Sequence, residues 1–166
     1  YIWKYLGVDK TTARAASEND QNYIIYRLAD VLLMKAEALI MQGHNEDAAD
    51  LIDRTRERAG LGETTLSDDR MVMLETLLVE RQKEFFGEGK NWFDLLRIGL
   101  RSEQLNDTQY KTLFVEQALK AVGASRQSLG RATLANSGSW YLPYSEDELS
   151  KNPLLEQSDY YQSISN

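Results

Sequence analysis

A chain of 166 residues carrying 26 acidic and 19 basic side chains, a formal charge of -7, has the size of one domain able to bury its own core. The lack of cysteine excludes thiol catalysis, disulfide stapling, zinc ribbons and iron–sulfur clusters. The acidic balance argues against a nucleic-acid partner, which needs clustered Lys and Arg, and no apolar run nears the roughly 20 residues that span a bilayer.

Residues 1–22 open Tyr1-Ile2-Trp3-Lys4-Tyr5, without an initiator Met, a basic n-region or a signal-type apolar segment. They read as an extended lead-in to a chain that starts mid-protein. From Tyr23 to Met41, Ile25, Leu28, Val31, Leu32, Ala36, Leu39 and Ile40 recur at helical spacing, and Ala29 and Leu33 widen the arc to that of a helix packed on several sides. Gly43 stops this helix; Asn45 is the expected cap of a second one, with Glu46 and Asp47 at its positive end, running to Ala59 and stopped by Gly60. Small residues, Ala36, Ala38, Gly43, Ala48 and Ala49, let the two helices approach as an αα-hairpin of the tetratricopeptide type, which needs neighbouring repeats to bury its apolar faces.

Ser67 and Asp68 are expected to cap a third helix that presents Met71, Leu74, Leu78 and Phe85 on one face until Gly87 and Gly89 break it. A short fourth helix follows over Trp92 to Ile98. The helical core thus spans 23–99. Residues 100–139 read as a variable insertion with one possible helix, Tyr110 to Val122, and a loop from Gly123 to Ser139 rich in Ser, Gly, Asn and Ala. A closing segment, 140–166, is expected to pack back on the core: Trp140 to Tyr144 is apolar and aromatic, Ser145 and Glu148 form a capping box, and the tail from Asn152 reads as irregular. The fold class is therefore all-α, with further packed helices and long irregular loops.

Charges interrupt the apolar stripes. Arg27, Asp30 and Glu37 share a stripe with Met34 and Met41, while Arg81 falls between Leu74 and Leu77 with Glu80 and Glu84 beside it. Asp94 and Arg97, together with Arg54, Arg56 and Arg58, can complete an ionic lattice between helices. A catalytic reading would make Glu80 and Glu84 the carboxylate pair of a glycosidase, but one helical turn sets them side by side next to Arg81, and nearby arginines depress the pKa that an acid catalyst needs raised. A structural lattice is the expected role, with no catalytic residue.

The remaining motifs are weaker. His44 is the only histidine, lies in a helix–helix turn and has no metal-ligand partner at a recognised spacing, so no metal or cofactor is expected. Gly87-Glu88-Gly89 follows a helix instead of a strand and lacks the phosphate-loop ending. Trp92, Phe93, Trp140 and Tyr141 have the chemistry to stack on sugars but are expected in the core. Trp3, Tyr5, Tyr110 and Phe114 are less constrained and stand as candidate ligand contacts.

Taken together, three blocks resemble the SusD/RagB family of surface nutrient-binding lipoproteins. Arg27-Leu28-Ala29-Asp30-Val31-Leu32-Leu33-Met34-Lys35-Ala36-Glu37-Ala38, followed by Arg56-Glu57-Arg58-Ala59-Gly60-Leu61, is similar to the family's Arg-x-Ala-Asp-Val helix. Glu80-Arg81-Gln82-Lys83-Glu84-Phe85 and Glu88-Gly89-Lys90-Asn91-Trp92-Phe93-Asp94-Leu95-Leu96-Arg97 resemble its Glu-Arg-x-x-Glu-Phe to Trp-x-Asp-Leu-x-Arg stretch. Leu142-Pro143 to Glu148 and Asn152-Pro153-Leu154-Leu155-Glu156-Gln157 resemble its closing segment, whereas residues 100–139, Tyr144 and Ser158-Asp159-Tyr160 depart from the pattern.

The resemblance implies a lipidated protein on the outer face of the outer membrane, anchored through a cysteine absent here. It would be a non-catalytic lid over a SusC-type TonB-dependent transporter barrel, capturing oligosaccharide or peptide. It also implies a longer polypeptide, with an N-terminal part that supplies most of the helical repeats. The residues themselves leave two other readings open: a cytoplasmic tetratricopeptide scaffold for peptide segments, and a helical glycosidase.

Overall fold

The computed structural model describes Lys4 and residues 23–164. Among these, every regular element is helical: α1 Leu28–Gln42, α2 Asn45–Arg58, α3 Arg70–Glu84, α4 Asn91–Leu105, α5 Thr108–Leu119, α6 Ala124–Leu134, a 3-10 turn Ser137–Trp140, α7 Glu146–Lys151 and α8 Asp159–Ile164. No helix among the described residues is long and apolar enough to cross a membrane. The chain divides into two compact units, Tyr1–Asp94 and Leu95–Asn166, the division falling within α4.

In the first unit α1 packs on both α2 and α3. Gly43 (φ +83°) ends α1 in a Schellman motif, its N–H donating to the Ile40 carbonyl at 3.1 Å and that of His44 to Leu39 at 2.9 Å. The chain reverses there, and Leu33, Ala36 and Ile40 close against Ala48, Ala49 and Ile52, all buried. Ala38, expected in this close approach, is exposed, because it lies on the opposite side of α1.

Two expected caps are replaced. Asn45 is the first residue of α2 and not its cap; its amide donates to the Ser67 carbonyl at 2.8 Å, tying the α2 start to the segment before α3. Asp69, not Ser67 or Asp68, caps α3, accepting from Met71 N–H at 2.7 Å and Val72 N–H at 3.4 Å, while Ser67 Oγ accepts from Asp69 N–H at 3.1 Å. Below that cap α3 buries Met73, Leu74, Leu77 and Leu78 on one face, with Glu80, Arg81 and Glu84 in continuation of it.

The second unit departs further from the sequence reading. The fourth helix extends to Leu105 instead of ending at Ile98, and the loop expected over 123–139 is mostly α6 and the 3-10 turn. Ser, Gly and Thr weaken helix propensity there, and no residue of α6 is fully buried, so the strong apolar periodicity that marks a core helix is missing. Tertiary contacts supply what propensity lacks: Gly130 leaves room for Leu119 of α5, and Arg131 of α6 pairs with Glu116 at 2.5 Å.

The centre of this unit is Phe114 against Trp140, ring centroids 4.6 Å apart, with the indole N–H donating to the Leu134 carbonyl at 3.0 Å. The expected cap at Ser145 is present, its hydroxyl accepting from Glu148 N–H at 3.2 Å. The tail is not wholly irregular: α8 lies on the 3-10 turn, where Tyr161 Oη donates to the Tyr141 carbonyl at 2.7 Å.

Gly99 of α4 faces this aromatic pair, and a Cβ there would stand 3.0 Å from both Phe114 Cγ and Trp140 Cζ3. Gly99→Val is therefore expected to destabilise the protein by about 2 kcal/mol in urea unfolding followed by tryptophan fluorescence. A matched change at Gly62, which has open space around it, should leave the midpoint unmoved.

Candidate functional site

The most concentrated chemistry in the described residues is a buried ionic junction at the C-terminal end of α3. Arg81 is buried, as are its two acidic partners: Nε donates to Asp94 Oδ2 at 2.7 Å and Nη2 to Asp30 Oδ1 at 3.0 Å. One guanidinium thus binds α1 and the first turn of α4 to α3. Lys90 also pairs with Asp30 and donates to the Ile25 carbonyl.

Beside it lies a second group of pairs. Arg27, the residue before α1, donates to Glu84 Oε1 at 2.5 Å, to the Glu84 carbonyl at 2.7 Å and to Glu88 at 3.0 Å. Arg58 from the end of α2 reaches Glu84 at 2.6 Å, and Arg56 reaches Glu80 at 3.1 Å. Phe85 separates the two groups and joins them. Its ring centre lies 4.7 Å from the Arg27 guanidinium, 4.8 Å from that of Arg81 and 5.7 Å from the Lys90 ammonium.

Six of the lattice residues expected from sequence, Arg27, Asp30, Glu80, Arg81, Glu84 and Asp94, therefore meet within the first unit. Glu37 is buried on α1, and Arg97 falls in the second unit. Glu88, Lys90 and Lys4 also contribute and went unrecognised in the sequence. Lys4 Nζ donates to Glu88 Oε1 and to the Glu84 carbonyl, both at 2.5 Å. The glycines flanking Glu88 carried the available signal, because Gly87 (φ +80°) and Gly89 (φ +72°) adopt left-handed conformations that turn the loop back and bury the carboxylate between them.

The electrostatics follow from this geometry. Burial alone would raise the Glu88 pKa, but hydrogen bonds and charge from Arg27 and Lys4 more than reverse that and hold it below the ordinary carboxylate range. Burial likewise works to lower the pKa of Arg27, and Glu88 and Glu84 outweigh it, raising the value. Glu80 and Glu84 are buried and held by arginines, Glu80 by Arg56 and Glu84 by Arg27 and Arg58.

The expected ligand contacts fare differently. Tyr110 and Phe114 are buried on the inner face of α5, so neither is available to a ligand; the apolar stripe that carries them faces Trp140 and its neighbours. Trp3 and Tyr5 lie outside the described residues. Of the aromatics expected in the core only Trp140 is there, whereas Trp92, Phe93 and Tyr141 are exposed. Two open surface cavities, about 350 and 500 Å³, flank α2 and are lined by acidic residues including Asp47, Asp68, Asp50 and Asp53. No cluster of metal-ligating side chains occurs among the described residues.

With this arrangement in view, the relatives of the chain become informative. Residues 1–161 match the model of the SusD family. SusD-like protein P38 of Formosa agariphila is 37% identical over 89 residues, 49% of this chain and 18% of that protein. SusD-like protein P25 of the same organism is 27% identical over 162 residues, 96% of this chain and 28% of that protein. The crystal structure of a SusD superfamily protein from Bacteroides fragilis superposes with a TM-score of 0.57 at 28% identity, covering 82% of this chain and 28% of that one. The chain thus spans between 18% and 28% of the length of these relatives.

Two tests bear on the junction. Arg81→Ala leaves Asp30 and Asp94 buried without their guanidinium and is expected to lower stability by about 3–5 kcal/mol in urea unfolding; a variant that unfolds like the parent contradicts the structural role. Glu88 has a folded pKa below its unfolded one, so its contribution is complete above about pH 4.3 and disappears as pH falls through the depressed folded value. The stability gap between the parent and Glu88→Gln should accordingly be widest near about pH 7 and shrink on acidification, and a gap constant down to about pH 3 contradicts the assignment.

Proposed function

This chain belongs to the SusD family, and from that membership we propose that it is part of a non-catalytic, cell-surface nutrient-binding protein that captures glycan or peptide for uptake. The observation that carries the reading is the family match along residues 1–161. The ionic junction is consistent with it: the charged motif residues are engaged in joining helices, which leaves recognition to surfaces elsewhere.

In the finer form of this reading, the protein is lipid-anchored at the outer face of the outer membrane through a cysteine outside this sequence. It acts as a lid on a SusC-type TonB-dependent barrel. The chain itself would form the C-terminal part of a longer polypeptide, a view supported by its small share of each relative's length. The buried arginines, aspartates and glutamates then hold the scaffold and do not touch ligand.

The test is binding of the whole gene product to arrays of oligosaccharides and peptides, with recovery and analysis of the bound material. Saturable binding with the ligand returned intact is expected. Hydrolysis that disappears in Glu80→Gln or Glu84→Gln would contradict the non-catalytic reading, and failure to bind either class would remove the nutrient-binding one.

A further inference from the structure

Arg81 is 3% exposed, and its aspartates are met by two of its three nitrogens, Nε with Asp94 at 2.7 Å and Nη2 with Asp30 at 3.0 Å. The third, Nη1, is out of contact with solvent and has no hydrogen-bond acceptor among the described residues. A guanidinium presents five N–H groups in its plane, and the two on Nη1 face water in the unfolded chain. Buried donors of this kind are satisfied by protein or by ordered water, because leaving them bare costs more than immobilising one water molecule.

We propose that Arg81 Nη1 binds a buried water molecule, a resident member of the ionic junction. The nearby acceptors are engaged elsewhere. Glu84, on the following turn of α3, is bound by Arg27 and Arg58, and Glu80 by Arg56 and Lys83. Asp30 Oδ2 faces Lys90. Phe85 lies over the guanidinium with its ring centre 4.8 Å from Cζ, which draws on the positive charge, but an aromatic face is a weak acceptor for N–H groups.

The ligand is neutral. A small anion such as chloride is the other acceptor that fits a buried guanidinium, and it would bring a third negative charge to a cation already facing Asp30 and Asp94. Its dehydration would then go uncompensated, because the charge of Arg81 is already matched. Water carries no such penalty. It accepts from Nη1 and has two protons to donate, and a carboxylate has room for more than one donor, so the acids flanking Arg81 can receive a water proton beside their cations.

A water held in this way gives the third nitrogen of Arg81 a part in the tie between α1, α3 and α4. It is a component of the folded scaffold, and its presence does not depend on which nutrient the protein binds.

The test is a high-resolution crystal structure of the whole polypeptide, from crystals soaked in bromide and measured at the bromine absorption edge. The expected result is a peak without anomalous signal, about 2.7–3.2 Å from Arg81 Nη1, with at least one further protein partner. Anomalous signal at that place assigns the site to an anion and overturns the proposal. A protein oxygen within the same distance of Nη1 overturns it too, as does an Nη1 that meets the Phe85 ring with no peak beside it.

Discussion

A guanidinium out of contact with water must find acceptors or make the fold that buries it untenable, and Arg81 finds them in Asp30 and Asp94. Three segments distant in sequence are thereby required to converge. If α1 slid by a turn, Asp30 would leave Arg81; if α3 rotated, the same residue would lose Asp94. The apolar core of Leu33, Ile40, Ile52 and Leu74 supplies the favourable burial, but such side chains tolerate small shifts. Charges with directional hydrogen bonds do not.

Replacing a buried ion pair by well-packed apolar residues is often neutral or stabilising, whereas removing one partner is costly. The proposed value of this junction accordingly lies in register. Phe85 makes the two groups of pairs one assembly, since its ring faces Arg27, Arg81 and Lys90, and Glu88 adds Lys4 from far earlier in the chain. Glu80 and Glu84, engaged by Arg56, Arg27 and Arg58, are thereby committed to joining helices.

Much of the first unit was legible in the sequence because its signals are local and strong. The left-handed turn at Gly43 follows from the chemistry of glycine, the small residues Ala36, Ala48 and Ala49 foretell a close hairpin, and Arg81 inside an apolar stripe demands acidic partners. What escaped depends on contacts that no window of sequence contains. Asp69 prevails over Ser67 and Asp68 because Ser67 is already engaged with the Asp69 N–H, while Glu88 is drawn inward by two partners distant in sequence.

The second unit shows the opposite balance. Its α6 has weak propensity and no fully buried residue, so neighbours such as Leu119, Glu116 and Trp140 reveal it. Tyr110 and Phe114 could not be assigned to the core from spacing, since the residue that covers Phe114 is Trp140, beyond a stretch that reads as loop.

The claim on which this account depends is that Arg81 and Asp30 act as one mechanical tie. A double-mutant cycle with Arg81→Met, Asp30→Asn and the combined variant, read by urea unfolding, measures that tie directly. A coupling of at least about 1.5 kcal/mol is predicted, with the combined variant less destabilised than the two single changes imply. Coupling within about 0.3 kcal/mol of zero would show that the two charges make no common contribution and would contradict the account.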